Sequence, residues 1–246
     1  SYLRELHGDL TGAEQAMVQA LTAGSRSPFD RAITTALLGD LYLKRGDLNR
    51  AEESYLEAER LIPGLLGARI GRARVLTAAG DLEAAAEVLE QVVARFPEPG
   101  ALTQLGEVLT QLGRPDEARN AFDTVAVITD LQTEAGAIVD LELARFAANH
   151  GDPKAARVLA AEAYRNRPTV FAAQVLAWAM HRSGDSASAL PLAEEALRLG
   201  TANASLHLQA AEILGANGQA TRARQLRSAA RQWDPWFHVL HPELAR

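Results

Sequence analysis

Histidines are the side chains of this sequence best suited to acid-base or metal chemistry, and their spacing supports neither. They lie far apart along the chain, at His7, His150, His181, His207, His238 and His241. None belongs to an H-E-x-x-H helix, a phosphate-binding P-loop or a G-x-S-x-G nucleophile turn. His238 and His241 are three residues apart, but Pro242 follows directly and no third ligand is near. The sequence therefore predicts no enzyme, no metal site and no cofactor.

Composition excludes further classes of function. There are no cysteines, which removes disulfides, thiolate zinc sites and cysteine nucleophiles together. The formal net charge is −6, so no nucleic-acid partner is expected. No run of about 18 apolar residues is present, and membrane insertion is not expected either. Arginine and alanine are abundant while lysine is rare, which is a weak compositional indication of a bacterial protein.

A glycine followed five residues later by an alanine recurs along the whole chain. The seven pairs are Gly8 and Ala13, Gly46 and Ala51, Gly80 and Ala85, Gly113 and Ala118, Gly151 and Ala156, Gly184 and Ala189, and Gly218 and Ala223. Apolar residues on both sides of each glycine follow a 3.6-residue period, which indicates two helices. Each unit is therefore predicted to be a helical hairpin, with the glycine at the bend and the alanine between the helices.

The unit from Leu38 to Pro63 carries this pattern most completely. Its characteristic residues are Leu38, Gly39, Tyr42, Gly46, Asp47, Ala51, Tyr55, Ala58 and Pro63. At these spacings the chain resembles the tetratricopeptide repeat (TPR) family, which has a 34-residue period. The resemblance implies an all-α, right-handed superhelical solenoid of antiparallel helical hairpins. It also implies an interaction scaffold, because the motif specifies folding rather than reaction chemistry.

The register predicts about six full repeats after a partial N-terminal repeat. The array is expected to cover 1–235, with the partial repeat at 1–23 and hairpins at roughly 32–62, 66–96, 99–129, 137–167, 170–200 and 204–234. Extra residues between Gly113 and Gly151 predict that the helix through Phe122 continues toward Glu134 and ends at Gly136. The apolar tail 236–246 is expected to cap the last hairpin, and docking into a neighbouring molecule is the alternative.

In the TPR family, residues six and ten positions before the turn glycine face the concave groove. The first series is Tyr2, Asp40, Arg74, Glu107, Arg145, Trp178 and Glu212, and the second is Ala36, Ile70, Thr103, Leu141, Gln174 and Leu208. The family's carboxylate clamp for chaperone tails needs lysine or arginine together with asparagine at these positions. Lysine and asparagine are absent from both series, so a clamp is not expected. The alternating charges of Asp40, Arg74, Glu107 and Arg145 favour pairing between neighbouring repeats.

Trp178 interrupts this alternation and combines with His181 and Arg182 in a predicted binding patch, because aromatic and arginine side chains dominate binding hot spots. The predicted binding residues for a protein or peptide segment are Trp178, His181, Arg182, Arg145, Arg74 and Gln174. Packing of Trp178 against the neighbouring first helix is an equally weighted alternative. For the whole chain, the alternative function is an oligomerising or spacer element of a larger assembly, with an empty groove and homo-oligomeric contacts through the tail.

Overall fold

The computed structural model describes residues 1–24, 27–135 and 141–241, and the chain is all-helical within these ranges. The helices are α1 Tyr2–Leu6, α2 Leu10–Thr22, α3 Pro28–Lys44, α4 Leu48–Leu61, α5 Leu66–Ala79, α6 Leu82–Arg95, α7 Pro99–Gln111, α8 Pro115–Glu134, α9 Leu141–His150, α10 Pro153–Asn166, α11 Val170–Arg182, α12 Ser186–Leu197, α13 Ala204–Ala216, α14 Ala220–Trp233 and α15 Phe237–Leu240. Helices α1 to α14 each pack mainly on their neighbours in sequence. This confirms the TPR-type solenoid of stacked hairpins. None of these helices combines the length and the apolar character needed to cross a membrane.

The recurring glycines and alanines have the roles that their spacing predicts, with one exception. Six of the seven turn glycines have positive φ, for example 81° at Gly46. Gly151 is the exception, and there Asp152 caps a helix that begins with Pro153. All seven alanines of the pattern are buried, with at most 2% of their surface exposed. The predicted cap at Asp47 is also present, since its carboxylate accepts a hydrogen bond from the Arg50 amide at 3.1 Å.

Close packing of the first hairpins depends on small residues around Tyr55. A Cβ atom added at Gly39 would lie 2.8 Å from the Tyr55 ring, and one added at Gly71 would lie 2.3 Å from it. Any larger residue at either position would have to displace the ring or the backbone. Tyr55 therefore joins two successive first helices, α3 and α5, from its place on α4.

Two helices depart from the regular hairpin length. Helix α8 extends to Glu134, which confirms the predicted continuation of the helix through Phe122. Its predicted end at Gly136 lies outside the described residues. Helix α3 begins at Pro28, with the Ser27 hydroxyl accepting a hydrogen bond from the Asp30 amide, and so starts before the expected position 32.

The two ends of the solenoid meet. The Thr201 hydroxyl, between α12 and α13, donates a hydrogen bond of 2.7 Å to the Leu6 carbonyl at the end of α1. The turn at Gly8 lies against the Gly200 carbonyl, so closely that an added Cβ atom would be 2.6 Å from that oxygen. The superhelix consequently curves far enough for the C-terminal residues to reach the first repeats across the concave side.

Candidate functional site

The concave groove contains the charged side chains that precede the turn glycines. Asp40, Arg74, Glu107 and Arg145 line one cavity of about 310 Å³. They come from the equivalent position of four successive first helices, α3, α5, α7 and α9. The groove register implied by the family resemblance therefore agrees with the geometry for these four residues.

Asp40 and Arg74 form the inter-repeat pair that the alternation of charge predicts. The Arg74 guanidinium donates to the Asp40 carboxylate and lies 3.3 Å from the Tyr55 hydroxyl. Tyr55 in turn donates to the same carboxylate at 2.7 Å. Burial raises the pKa of Tyr55, so its hydroxyl remains a neutral donor. Arg74, predicted as a partner-binding residue, is thus engaged in holding two repeats together.

Glu107 does not continue the ladder to Arg145. Its carboxylate is 7% exposed and lies 3.1 Å from His150 Nε2 and 3.7 Å from His241 Nδ1. Burial by itself would raise the pKa of Glu107, but the hydrogen bonds from the two histidines outweigh it and hold the pKa below its usual value. The His150 ring stacks on Phe122, with 4.5 Å between centroids. Histidines from α9 and from the tail therefore take the place that the sequence assigned to Arg145.

Among the described residues, Arg145 is held by its own helix. Its Nη1 atom is 2.8 Å from both carboxylate oxygens of Glu142, one turn earlier. Its Nε atom is buried and has no hydrogen-bond partner among the described residues. Thr103 and Asn149 line the cavity beside it. This wall of the groove therefore presents a guanidinium, an amide, and a hydroxyl whose proton is donated to the Pro99 carbonyl at 2.8 Å.

Trp178 is a packing residue, which corresponds to the second of the two alternatives considered for it. The side chain is 6% exposed, stacks on His181 at 5.4 Å and donates from Nε1 to Asn149 Oδ1 at 2.8 Å. The indole ring is therefore not exposed in the groove. Trp178 acts behind the groove wall, where it orients the amide of Asn149.

The remaining predicted site residues do not converge on the cavity. Gln174 is 3% exposed and donates to Gln209 Oε1 at 2.9 Å. His181 Nδ1 lies 2.9 Å from the Ser186 hydroxyl, and burial lowers the pKa of His181. Arg182 is exposed, with its guanidinium carbon 5.6 Å from the Trp178 ring. Of the six predicted residues, only Arg145 and Arg74 line the groove cavity.

The C-terminal tail is the groove component that the sequence did not reveal. Phe237 packs against Ala204 and Ala230 of the last hairpin, in the manner of a cap. The tail also crosses the groove, because α15 packs on α5 and Trp236 Nε1 donates to the Gly46 carbonyl at 3.2 Å. The contact between Trp236 and Gly46 joins residues 190 positions apart, and such contacts carry no periodic signal. The apolar character of the tail was its one sequence indication.

Comparison with known proteins gives a consistent picture of the family. Three models described as tetratricopeptide repeat match residues 36–64, 76–139 and 172–195. The chain is 30% identical over 166 residues, or 63% of its length, to cellulose synthase operon protein C of Pseudomonas fluorescens SBW25, and this match spans 13% of that relative.

Two solved structures share the fold. A tetratricopeptide repeat protein from Parabacteroides merdae ATCC 43184 has a TM-score of 0.51 and 20% identity, with 99% of this chain and 96% of that chain covered. The APC/C hetero-tetramer Cut9-Hcn1 has a TM-score of 0.50 and 18% identity, with 98% of this chain and 46% of that chain covered. Together with the buried alanines and the glycine turns, the three family models identify residues 36–64, 76–139 and 172–195 as tetratricopeptide repeats.

Proposed function

We propose that this protein binds a segment of a partner protein along the concave groove, on the wall that carries Arg145. The observation that carries the proposal is that the groove already accepts polypeptide, since the segment 234–241 of the chain itself lies across it. Solenoid proteins use such extended concave surfaces for binding. Arg145 and the amide NH2 of Asn149 can donate to the backbone carbonyls and carboxylates of a peptide, and the Thr103 hydroxyl, which itself donates to the Pro99 carbonyl, can accept from a peptide amide or hydroxyl.

The relative's name suggests which partners to test first. It associates that relative with a cellulose synthase operon, so we propose proteins of a cellulose-producing assembly as candidates. Self-association through the tail has less support, because Phe237 and Leu240 are buried in their own chain.

A charge-reversal pair tests groove binding. Arg145→Glu changes the groove wall, whereas Arg119→Glu changes an arginine on the second helix of its hairpin. The two residues are matched, since each pairs with an acidic residue three positions earlier. Immobilised wild-type protein and both variants are incubated with an extract of Pseudomonas fluorescens SBW25, and retained proteins are identified by mass spectrometry. Circular dichroism confirms that each variant is folded.

The expected result is a protein retained by the wild type and by Arg119→Glu but lost from Arg145→Glu. Retention of the same proteins by all three forms would contradict binding in the groove.

A further inference from the structure

We infer that the segment 234–241 is a built-in competitor for the partner groove, and that the partner presents a short helical turn of the same chemistry. That chemistry is two apolar side chains three residues apart, followed directly by a basic residue. The inference rests on the proposed function and adds the class of partner and the way in which the groove is kept occupied without it.

The apolar part of this chemistry comes from Phe237 and Leu240. They are 7% and 9% exposed, and their three-residue spacing places them on one side of a helical turn. Phe237 packs on the last hairpin, while Leu240 lies beside Thr77 of α5 and Val108 of α7. The segment therefore spans the groove, with one apolar anchor at each side.

The basic part comes from His241. Its Nδ1 atom is 3.7 Å from Glu107 Oε2, and its ring lies 4.7 Å from that of Phe237. Glu107 is a buried carboxylate at the groove floor, and a buried carboxylate requires a donor or a positive charge. His150 is one partner of Glu107, at 3.1 Å, and a basic side chain directly after the second apolar anchor is the second partner in the tail and would be in a bound protein.

The contacts of the segment are few enough for it to be displaced. Helix α15 has four residues, too short to be stable by itself, and His238 within it is exposed. The cavity beside the segment is open along Thr103, Arg145 and Asn149. An incoming chain can therefore engage this wall before the tail leaves. Elements with few buried contacts belong to the low-stability end of a protein and open separately.

A tail-release variant and its matched control test the inference in the full chain. Leu240→Asp removes one apolar anchor, whereas His238→Asp places the same charge at an exposed position two residues earlier. The probe is a fluorescent peptide with the sequence of residues 234–241, Asp-Pro-Trp-Phe-His-Val-Leu-His, and binding is measured by fluorescence anisotropy. A second peptide with serine in place of Phe237 and Leu240 controls for nonspecific binding.

The tethered segment competes at an effective concentration in the millimolar range. Leu240→Asp should therefore bind the peptide about tenfold or more tightly than the wild type and His238→Asp do, and the serine peptide should bind to none of them. Absence of peptide binding to folded Leu240→Asp overturns the inference, because the segment is then a permanent part of the fold.

Hydrogen exchange of the wild-type chain provides a measurement that does not depend on a variant. The amides of Val239, Leu240 and His241 bond to carbonyls within the segment. They should exchange faster than the amides in the middle of α5 and α14, on which the segment packs. Equal protection would show that the tail opens only with the whole protein, and would overturn the inference.

Failure of the inference and failure of the proposed function give different results. If Arg145→Glu loses a captured protein but Leu240→Asp does not bind the peptide, the proposed function stands and the inference of a tail-like partner is overturned. If Leu240→Asp binds the peptide but Arg145→Glu captures the same proteins as the wild type, both the proposed function and the inference are overturned. The groove then binds only the tail.

Discussion

The two ends of the groove use the same repeat position in opposite ways. At the N-terminal end, Asp40 and Arg74 are partly exposed and line the cavity. At the C-terminal end, the equivalent residue Trp178 is 6% exposed and does not line it. Trp178 is enclosed because α11 packs directly on both α9 and α13. A position in a repeat motif thus faces a groove only where the helices around it leave its side chain uncovered.

Arg74 and Arg145 occupy equivalent positions two repeats apart and make different contacts. Arg74 bonds to Asp40 of the preceding repeat and to Tyr55, so its side chain contributes to stability. Arg145 bonds to Glu142 of its own helix, and its contribution is expected to lie in ligand binding. Equivalent residues in a repeat array therefore need not share a role.

Trp178→Ala should produce the largest effect, a loss of about 3–5 kcal/mol in the free energy of unfolding, because it leaves a cavity between α9, α11 and α13. Arg182→Ala, four residues later on the exposed side, should change it by less than about 0.5 kcal/mol. Urea denaturation of both variants measures the difference. Equal stability of Trp178→Ala and the wild type would contradict the burial of Trp178 between α9, α11 and α13.

Ala189→Leu should cost about 1–3 kcal/mol, because Ala189 is fully buried and a larger side chain overpacks the crossing of the helices. Ala187→Leu is the matched control on the same helix, since Ala187 is exposed. Equal thermal melting of the two variants would show that the repeat register at this end is incorrect.

Arg74→Ala should destabilise the protein by about 1 kcal/mol, because it leaves Asp40 and the Tyr55 hydroxyl without their shared donor in a partly exposed site. Arg145→Ala should change stability by less than about 0.5 kcal/mol. Chemical denaturation of both variants in parallel provides the comparison. Equal losses would remove the distinction between a structural and a binding arginine.

Mild acid should also lower the free energy of unfolding, because His207 is buried in the C-terminal repeats. His207 is 5% exposed, packs edge-on against Trp233 at 4.3 Å, and has its pKa lowered by burial. The unfolded chain binds the proton first as pH falls below about 6.5, so the free energy of unfolding should decrease from about pH 7.5 to pH 5. His207→Gln should reduce this slope. If the slope is unchanged in His207→Gln, His207 is not the buried neutral histidine that causes the loss of stability in acid.

The sequence predicted the features that depend on local spacing. The glycine bends, the buried alanines, the length of α8 and the pair between Asp40 and Arg74 all follow from helical periodicity and repeat equivalence. The features it missed depend on long-range curvature. Glu107 pairs with His150 of the next first helix instead of Arg145, and with His241 because the tail returns across the groove, while Trp178 is buried because α9, α11 and α13 pack closely. Neither effect is encoded within a single repeat.

The central claim is that the groove is a binding site which the tail occupies and can leave. The absence of cysteines permits specific spin labelling at His238→Cys in the tail and Arg119→Cys on α8. Dipolar electron spin resonance then measures the distance between the labels with and without excess peptide 234–241. The account predicts one narrow distance distribution in the free protein and a second, broader population that grows with added peptide. A distribution that stays narrow and unchanged at saturating peptide would contradict it.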